Sequence, residues 1–75
     1  MLTERQHEIA SLVATGASNK EIARELSISI KTVKNTLTTV FGKTGARSRT
    51  DLALQMVRGA EQTQIGDSIL ANKLY

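Results

Sequence analysis

Apolar residues recur along this chain at helical spacing in four segments, each opened by a polar residue suited to capping a helix. The first opens at Thr3, where Thr3 and Gln6 form a capping box. Each side chain of such a box satisfies a backbone N–H that the helix start leaves without a partner. Ile9, Leu12 and Val13 supply the apolar stripe of this segment, and Gly16 suits the left-handed position that closes a helix. Ser18 and Glu21 form a second box, with Ala17 and Ile22 at the staple positions around it. The helix it opens presents Ile22, Ala23 and Leu26, and the pattern breaks at Ser27 to Ser29.

Ser29 caps the third segment, about 29–44. Its Ile30, Val33, Leu37, Val40 and Phe41 fall within an arc of about 100° on a helical wheel, opposite Lys31, Asn35, Thr38 and Gly42. Gly45 ends this segment, Ser48 and Asp51 form a third capping box, and a fourth helix is predicted over about 49–59. On that helix Leu52, Met56 and Ala60 share one side, while Thr50, Ala53, Leu54 and Val57 form a second stripe about 100 to 200° away. One small core cannot take both stripes unless the helix is wedged deeply enough to bury them. Two-fold dimers are the commonest oligomers, so Thr50, Ala53, Leu54 and Val57 are read as a dimer interface. Beyond Gly59 the periodicity is lost, although Asp67 can cap a short helix carrying Ile69, Leu70 and Leu74. The predicted fold class is all-α: a four-helix bundle-like domain over 1–60 containing a helix-turn-helix, then a C-terminal tail over 61–75, a short helix or disordered.

At 75 residues the chain has room for one domain, and one this small buries only about 60 % of the surface its unfolded form exposes. The absence of cysteine excludes a disulfide framework and any sulfur-built metal site. No apolar run approaches the roughly 18 residues that span a bilayer, and the mixed, acidic start is unlike a signal peptide, so a cytoplasmic protein is expected. The length leaves both a stand-alone regulator and a piece of a longer one open.

Net charge is +3, but its distribution says more. Residues 27–50 carry Lys31, Lys34, Lys43, Arg47 and Arg49 with no acid, whereas the flanking stretches 1–26 and 51–75 each carry one excess negative charge. A solvated helix face ordinarily mixes signs to gain i,i+4 pairs, as Lys20, Glu21, Arg24 and Glu25 are placed to do. The third helix forgoes such pairs.

Two short helices joined by three or four residues, with a small residue where they cross, are what a helix-turn-helix requires. Residues 19–39 meet this description. Ala23 permits close crossing, Leu26, Ile28 and Val33 form the wedge, and Ser27-Ile28-Ser29 is the turn. Serine replaces the glycine that often permits positive φ there, at a mild cost. An ordinary helical hairpin has the same periodicity, and the charge map separates the two. The exposed face of the third helix holds Lys31, Lys34, Asn35, Thr38, Thr39 and Gly42, so nothing on it repels a phosphate. Lysine matches guanine O6 and N7, asparagine pairs bidentately with adenine, and the threonine methyl meets the thymine methyl, which points to a helix entering the major groove of double-stranded DNA.

Over nearly all of residues 2–58 the chain resembles the LuxR/GerE-type helix-turn-helix domain. The resemblance is carried by Leu-Thr-Glu-Arg-Gln-His-Glu-Ile at 2–9, Gly-Ala-Ser-Asn-Lys-Glu-Ile-Ala at 16–23, Leu-Ser-Ile-Ser-Ile-Lys-Thr-Val-Lys-Asn at 26–35 and Lys-Thr-Gly-Ala-Arg-Ser-Arg-Thr-Asp-Leu-Ala at 43–53. The promoter-reading region of sigma factors shares the opening and the helix pair but not the Arg-Ser-Arg turn into a fourth helix. The resemblance implies a bacterial-type transcriptional regulator whose fourth helix pairs two copies into a homodimer. It places Lys34, Asn35 and Thr38 against the bases, and Lys31, Thr32, Ser18 and Lys20 against phosphates. Arg47 and Arg49 either reach phosphate or brace the turn by pairing with acids such as Glu8 and Glu21; Arg47 is assigned to phosphate and Arg49 to bracing. Three positions depart from the family pattern: Ala10 and Thr44 stand where leucine is common and are expected to thin the core, and Thr36 stands where histidine is common, which puts one backbone-side contact in doubt.

Catalysis finds no constellation. His7 is the single histidine and sits in a charged first turn, and Glu4, Glu8, Glu21 and Glu25 occupy cap or pairing positions. No enzyme activity, cofactor, metal, membrane association or small-molecule ligand is expected of this domain. The alternative class is a helical protein-interaction module whose basic face meets an acidic partner such as a polymerase subunit; RNA polymerase is a further expected partner of a DNA-bound regulator.

Overall fold

The computed structural model describes residues 1–59, and among them the only regular elements are helices. These are α1 (Glu4–Ala14), α2 (Asn19–Leu26), α3 (Ile30–Thr44) and α4, helical over 49–59. The expected tail, with Asp67, Ile69, Leu70 and Leu74, and Ala60 of the expected α4 stripe lie outside the described residues.

The helix starts form as their sequences predict. Thr3 N donates to Gln6 Oε1 at 2.9 Å and Gln6 N to Thr3 Oγ1 at 3.2 Å. Ser18 N donates to Glu21 Oε1 at 2.8 Å and Glu21 N to Ser18 Oγ at 3.1 Å. Ser29 Oγ accepts from Thr32 N at 3.0 Å. The third box closes on one side only: Asp51 N donates to Ser48 Oγ at 3.0 Å, but the Asp51 carboxylate takes the N–H of Arg47, one residue earlier, at 2.8 Å.

Helix ends are equally local. Gly16, at φ +93°, sits between bonds from Ala17 N to Leu12 O and from Gly16 N to Val13 O, the paired closure that a left-handed residue makes possible. Ser27 performs the same closure for α2 without being glycine: its φ is 57°, its N–H reaches Arg24 O, and Ile28 N reaches Ala23 O at 2.9 Å. A residue with a Cβ is strained in this region by roughly 1–2 kcal/mol. Ser27→Gly is therefore expected to raise stability by about 0.5–1 kcal/mol after the added freedom of the unfolded chain is subtracted. In thermal unfolding this reads as a rise in Tm of about 3–6 °C.

α3 packs on both α1 and α2. The core consists of Ile9, Ala10 and Val13 from α1, Ile22 and Ala23 from α2, Val33, Leu37 and Val40 from α3, and Leu52 from α4. Leu12, Leu26, Ile28 and Phe41 pack half-buried at its margin, so the expected wedge of Leu26, Ile28 and Val33 is present. Ile30 departs from the predicted stripe. It is 42 % exposed, because it begins α3 beyond the edge of the α2 crossing.

The two positions expected to thin the core behave differently. Ala10 is fully enclosed. Thr44 exchanges an apolar role for a polar one: its hydroxyl donates to Val40 O at 2.9 Å and accepts from Ala46 N at 3.2 Å, tying the end of α3 to the loop after Gly45.

Candidate nucleic-acid interface

α2, the left-handed turn at Ser27 and α3 are held by Ala23, Ile28 and Val33, which leaves the opposite side of α3 to solvent. Lys31, Thr32, Lys34, Asn35, Thr38 and Thr39 are all exposed on it. Ser18 and Lys20 are exposed at the start of α2, and Arg47 is exposed between α3 and α4. Every residue expected at bases or phosphates is thus accessible.

Several of their hydroxyls are already engaged, which limits what they can offer. Thr38 Oγ1 donates to Lys34 O at 3.1 Å, so its methyl and its lone pairs are presented outward. Ser18 Oγ accepts the cap bond from Glu21 N and keeps its proton for an external acceptor. Thr32 Oγ1 lies 2.9 Å from Ser29 Oγ, within the cap of α3. The starts of α2 and α3 also present backbone N–H groups and the positive end of the helix dipole, which favour an anion.

The basic segment is divided by the fold. Lys31, Lys34 and Arg47 make no side-chain bond or ion pair among the described residues, whereas Lys43 and Arg49 are used internally. Arg49 braces the turn as expected, but with different partners from the acids proposed. Its guanidinium donates to Asn19 Oδ1 and to Ala17 O, both at 2.7 Å, in a half-buried setting. A carbonyl and an amide oxygen meet this fork at no cost of desolvating a carboxylate, and Glu8 and Glu21 have other duties in pairing and capping. The mixed-sign pairing expected of Lys20, Glu21, Arg24 and Glu25 is not formed. Among the described residues the ion pair present is Arg5–Glu8, at 3.4 Å on α1.

Two contributors escaped the sequence reading. Asn19 carries no signal of its role beyond its place after a cap. The bond from Lys43 Nζ to Gln6 Oε1, 2.9 Å, joins residues 37 positions apart. His7 is exposed, with Nδ1 3.5 Å from Ser11 Oγ.

On α4, Leu52 is fully buried and Met56 packs against the core, while Leu54 and Val57 are each 46 % exposed. Thr50 is exposed and Ala53 half-buried. The helix is not wedged deeply enough to bury both stripes: Thr50, Leu54 and Val57 of the second are exposed, while Ala53 packs partly against the core.

A tight helix pair with a left-handed turn, a third helix beneath it and an acid-free exposed face define a helix-turn-helix domain. Residues 1–57 match the luxR family of bacterial regulatory proteins. The chain belongs to that family, a class of DNA-binding transcription-regulator domain. It is similar to the monoamine regulon transcriptional regulator of Klebsiella aerogenes, 50 % identical over 52 residues, which cover 69 % of this chain and 23 % of that protein. The transcriptional regulatory protein LiaR of Bacillus subtilis is 47 % identical over 53 residues, 71 % of this chain and 25 % of LiaR. The spore germination protein GerE of the same organism is 36 % identical over 61 residues, 81 % of this chain and 82 % of GerE. The chain thus spans about a quarter of the first two relatives and about four-fifths of the third. Among the described residues no helix is long and apolar enough to cross a membrane.

Proposed function

We propose that this chain is a sequence-specific reader of double-stranded DNA in a transcriptional regulator, with α3 in the major groove and two copies joined through α4. The observation that carries the reading is the exposed face of α3, which presents Lys31, Lys34, Asn35 and Thr38 without a carboxylate on a helix braced from behind. Lys34, Asn35 and Thr38 read base edges. Ser18, Lys20, Lys31, Thr32 and Arg47 hold the backbone on either side, and the relatives named as transcriptional regulators support this use of the surface. Thr50, Ala53, Leu54 and Val57 form the two-fold contact. It sets two reading helices one duplex turn apart, so the preferred site is two-fold symmetric. The reading assigns the chain no catalytic step.

The test is selection from a randomised duplex library over a salt series. Enrichment of a two-fold-symmetric sequence is expected, with a log–log salt slope of roughly −5, because Lys20, Lys31 and Arg47 neutralise about three phosphates per copy. A flat, unselective response would move the basic helix to an acidic protein partner. Within the same assay Asn35→Ala is expected to reduce discrimination by about 1–3 kcal/mol, as a bidentate base contact is worth. Lys31→Ala is expected to weaken all duplexes alike and lower the slope by about 1 per copy. Uniform loss from both variants would remove Asn35 from the base-reading set.

A further inference from the structure

We infer that Lys43, though part of the acid-free basic segment, is a positioning residue that sets the angle of the reading helix by tying its C-terminal end to the cap of α1. The inference rests on the groove-reading proposal above. Lys43 Nζ donates to Gln6 Oε1 at 2.9 Å and to Met1 O at 3.3 Å. The same Gln6 oxygen accepts from Thr3 N at 2.9 Å. A carbonyl oxygen has two lone pairs, so one atom closes the capping box of α1 and anchors α3.

Lys43 is also turned away from DNA. At about 100° per residue it lies about 80° past Asn35 on the wheel, on the far side from Lys34 and Thr38. The other end of α3 is held independently, by the left-handed turn at Ser27 and the bond from Ile28 N to Ala23 O. The reading residues lie between these two attachments. Val33, Leu37 and Val40 hold α3 in the core, and the tie at its last turn limits the small tilt that this packing allows; a tilt of about 5° displaces Thr38, about 12 Å from the start of the helix, by about 1 Å. Bidentate base recognition requires placement within about 0.5 Å and 10–20°. Phosphate contacts made by flexible lysine and arginine stems tolerate that tilt. Loss of the tie therefore removes selectivity before it removes affinity. Lys43 is exposed, so the tie adds little to stability and the fold survives its removal.

The experiment measures binding of the full chain to the duplex most enriched by the wild type and to a scrambled duplex of equal length, over a salt series, with helicity checked by circular dichroism. Lys43→Met is expected to lower the enriched-to-scrambled affinity ratio about tenfold, the equivalent of one weakened base contact. Affinity for the scrambled duplex and the salt slope should stay unchanged. Lys43→Arg restores the ratio by keeping a donor to Gln6. Gln6→Glu keeps the capping box, strengthens the acceptor and leaves the ratio at or above that of the wild type. The inference is overturned if Lys43→Met weakens both duplexes alike with a slope lower by about 1 per copy, which marks a phosphate ligand. It is equally overturned if Gln6→Glu reduces the ratio. A wild type that enriches no sequence would instead sink the groove-reading proposal itself.

Discussion

Leu52→Ala is expected to cost about 3–5 kcal/mol of folding stability, the range for truncating a fully buried leucine. Leu52 has no exposed surface and is the residue of α4 that enters the central core alongside Ile9, Ile22, Val33 and Val40. A domain of this size has about 4–9 kcal/mol in total. The variant therefore loses a third or more of its stability and melts far below the wild type. Urea denaturation checks this, with Leu54→Ala as the control. Leu54 is 46 % exposed and should cost less than about 1 kcal/mol in the monomer, because nearly half of its surface is already in water and it lies outside the core. A Leu52→Ala loss below 1 kcal/mol would mean that α4 is held by its flanking loop, through Arg49 and Asp51, more than by its apolar anchor.

The second large effect is on assembly. Leu54→Glu combined with Val57→Glu is expected to yield a folded monomer, since both side chains already face solvent and the core anchor Leu52 is untouched. In a two-fold contact each new carboxylate meets its own copy, so the interface loses its apolar contact and gains like-charge repulsion. Affinity for the two-fold-symmetric duplex should fall by about 10²–10⁴, the advantage of a second site held at high effective concentration. Affinity for a single half-site should stay the same. Analytical ultracentrifugation and binding to both duplexes test the two parts separately. A wild type that sediments as a monomer on the symmetric duplex, or a variant that still pairs, would take the outer stripe of α4 out of the interface.

The capping boxes at Thr3 and Ser18, the cap at Ser29, the left-handed residues Gly16, Ser27 and Gly45, and the exposed arc of α3 were all legible in the sequence. These features depend on residues three to five positions apart, whose geometry the helix itself sets. The family was legible for a related reason, since its motifs lie at caps, crossing points and the turn before α4. Misread features mark where a local rule met a competing use. Glu21 is consumed by a cap instead of an ion pair, Asp51 is drawn to Arg47 N, and Ile30 has a helix end where a core contact was expected.

The sequence by itself determined where the described helices start and where α1, α2 and α3 stop, most of the core stripes with Ile30 and Ala10 as the exceptions, and that one acid-free helix face is available to a polyanion. Only the tertiary structure decided how the five positive charges of residues 27–50 are divided. Arg49 goes to Asn19 and Ala17, 30 and 32 positions away, and Lys43 goes to Gln6 and Met1, 37 and 42 positions away. A charge count cannot distinguish a lysine aimed at solvent from one closing a contact across the fold. That choice follows from the direction in which α3 crosses α1, and the crossing exists only once Val33, Leu37 and Val40 are buried against both of its neighbours.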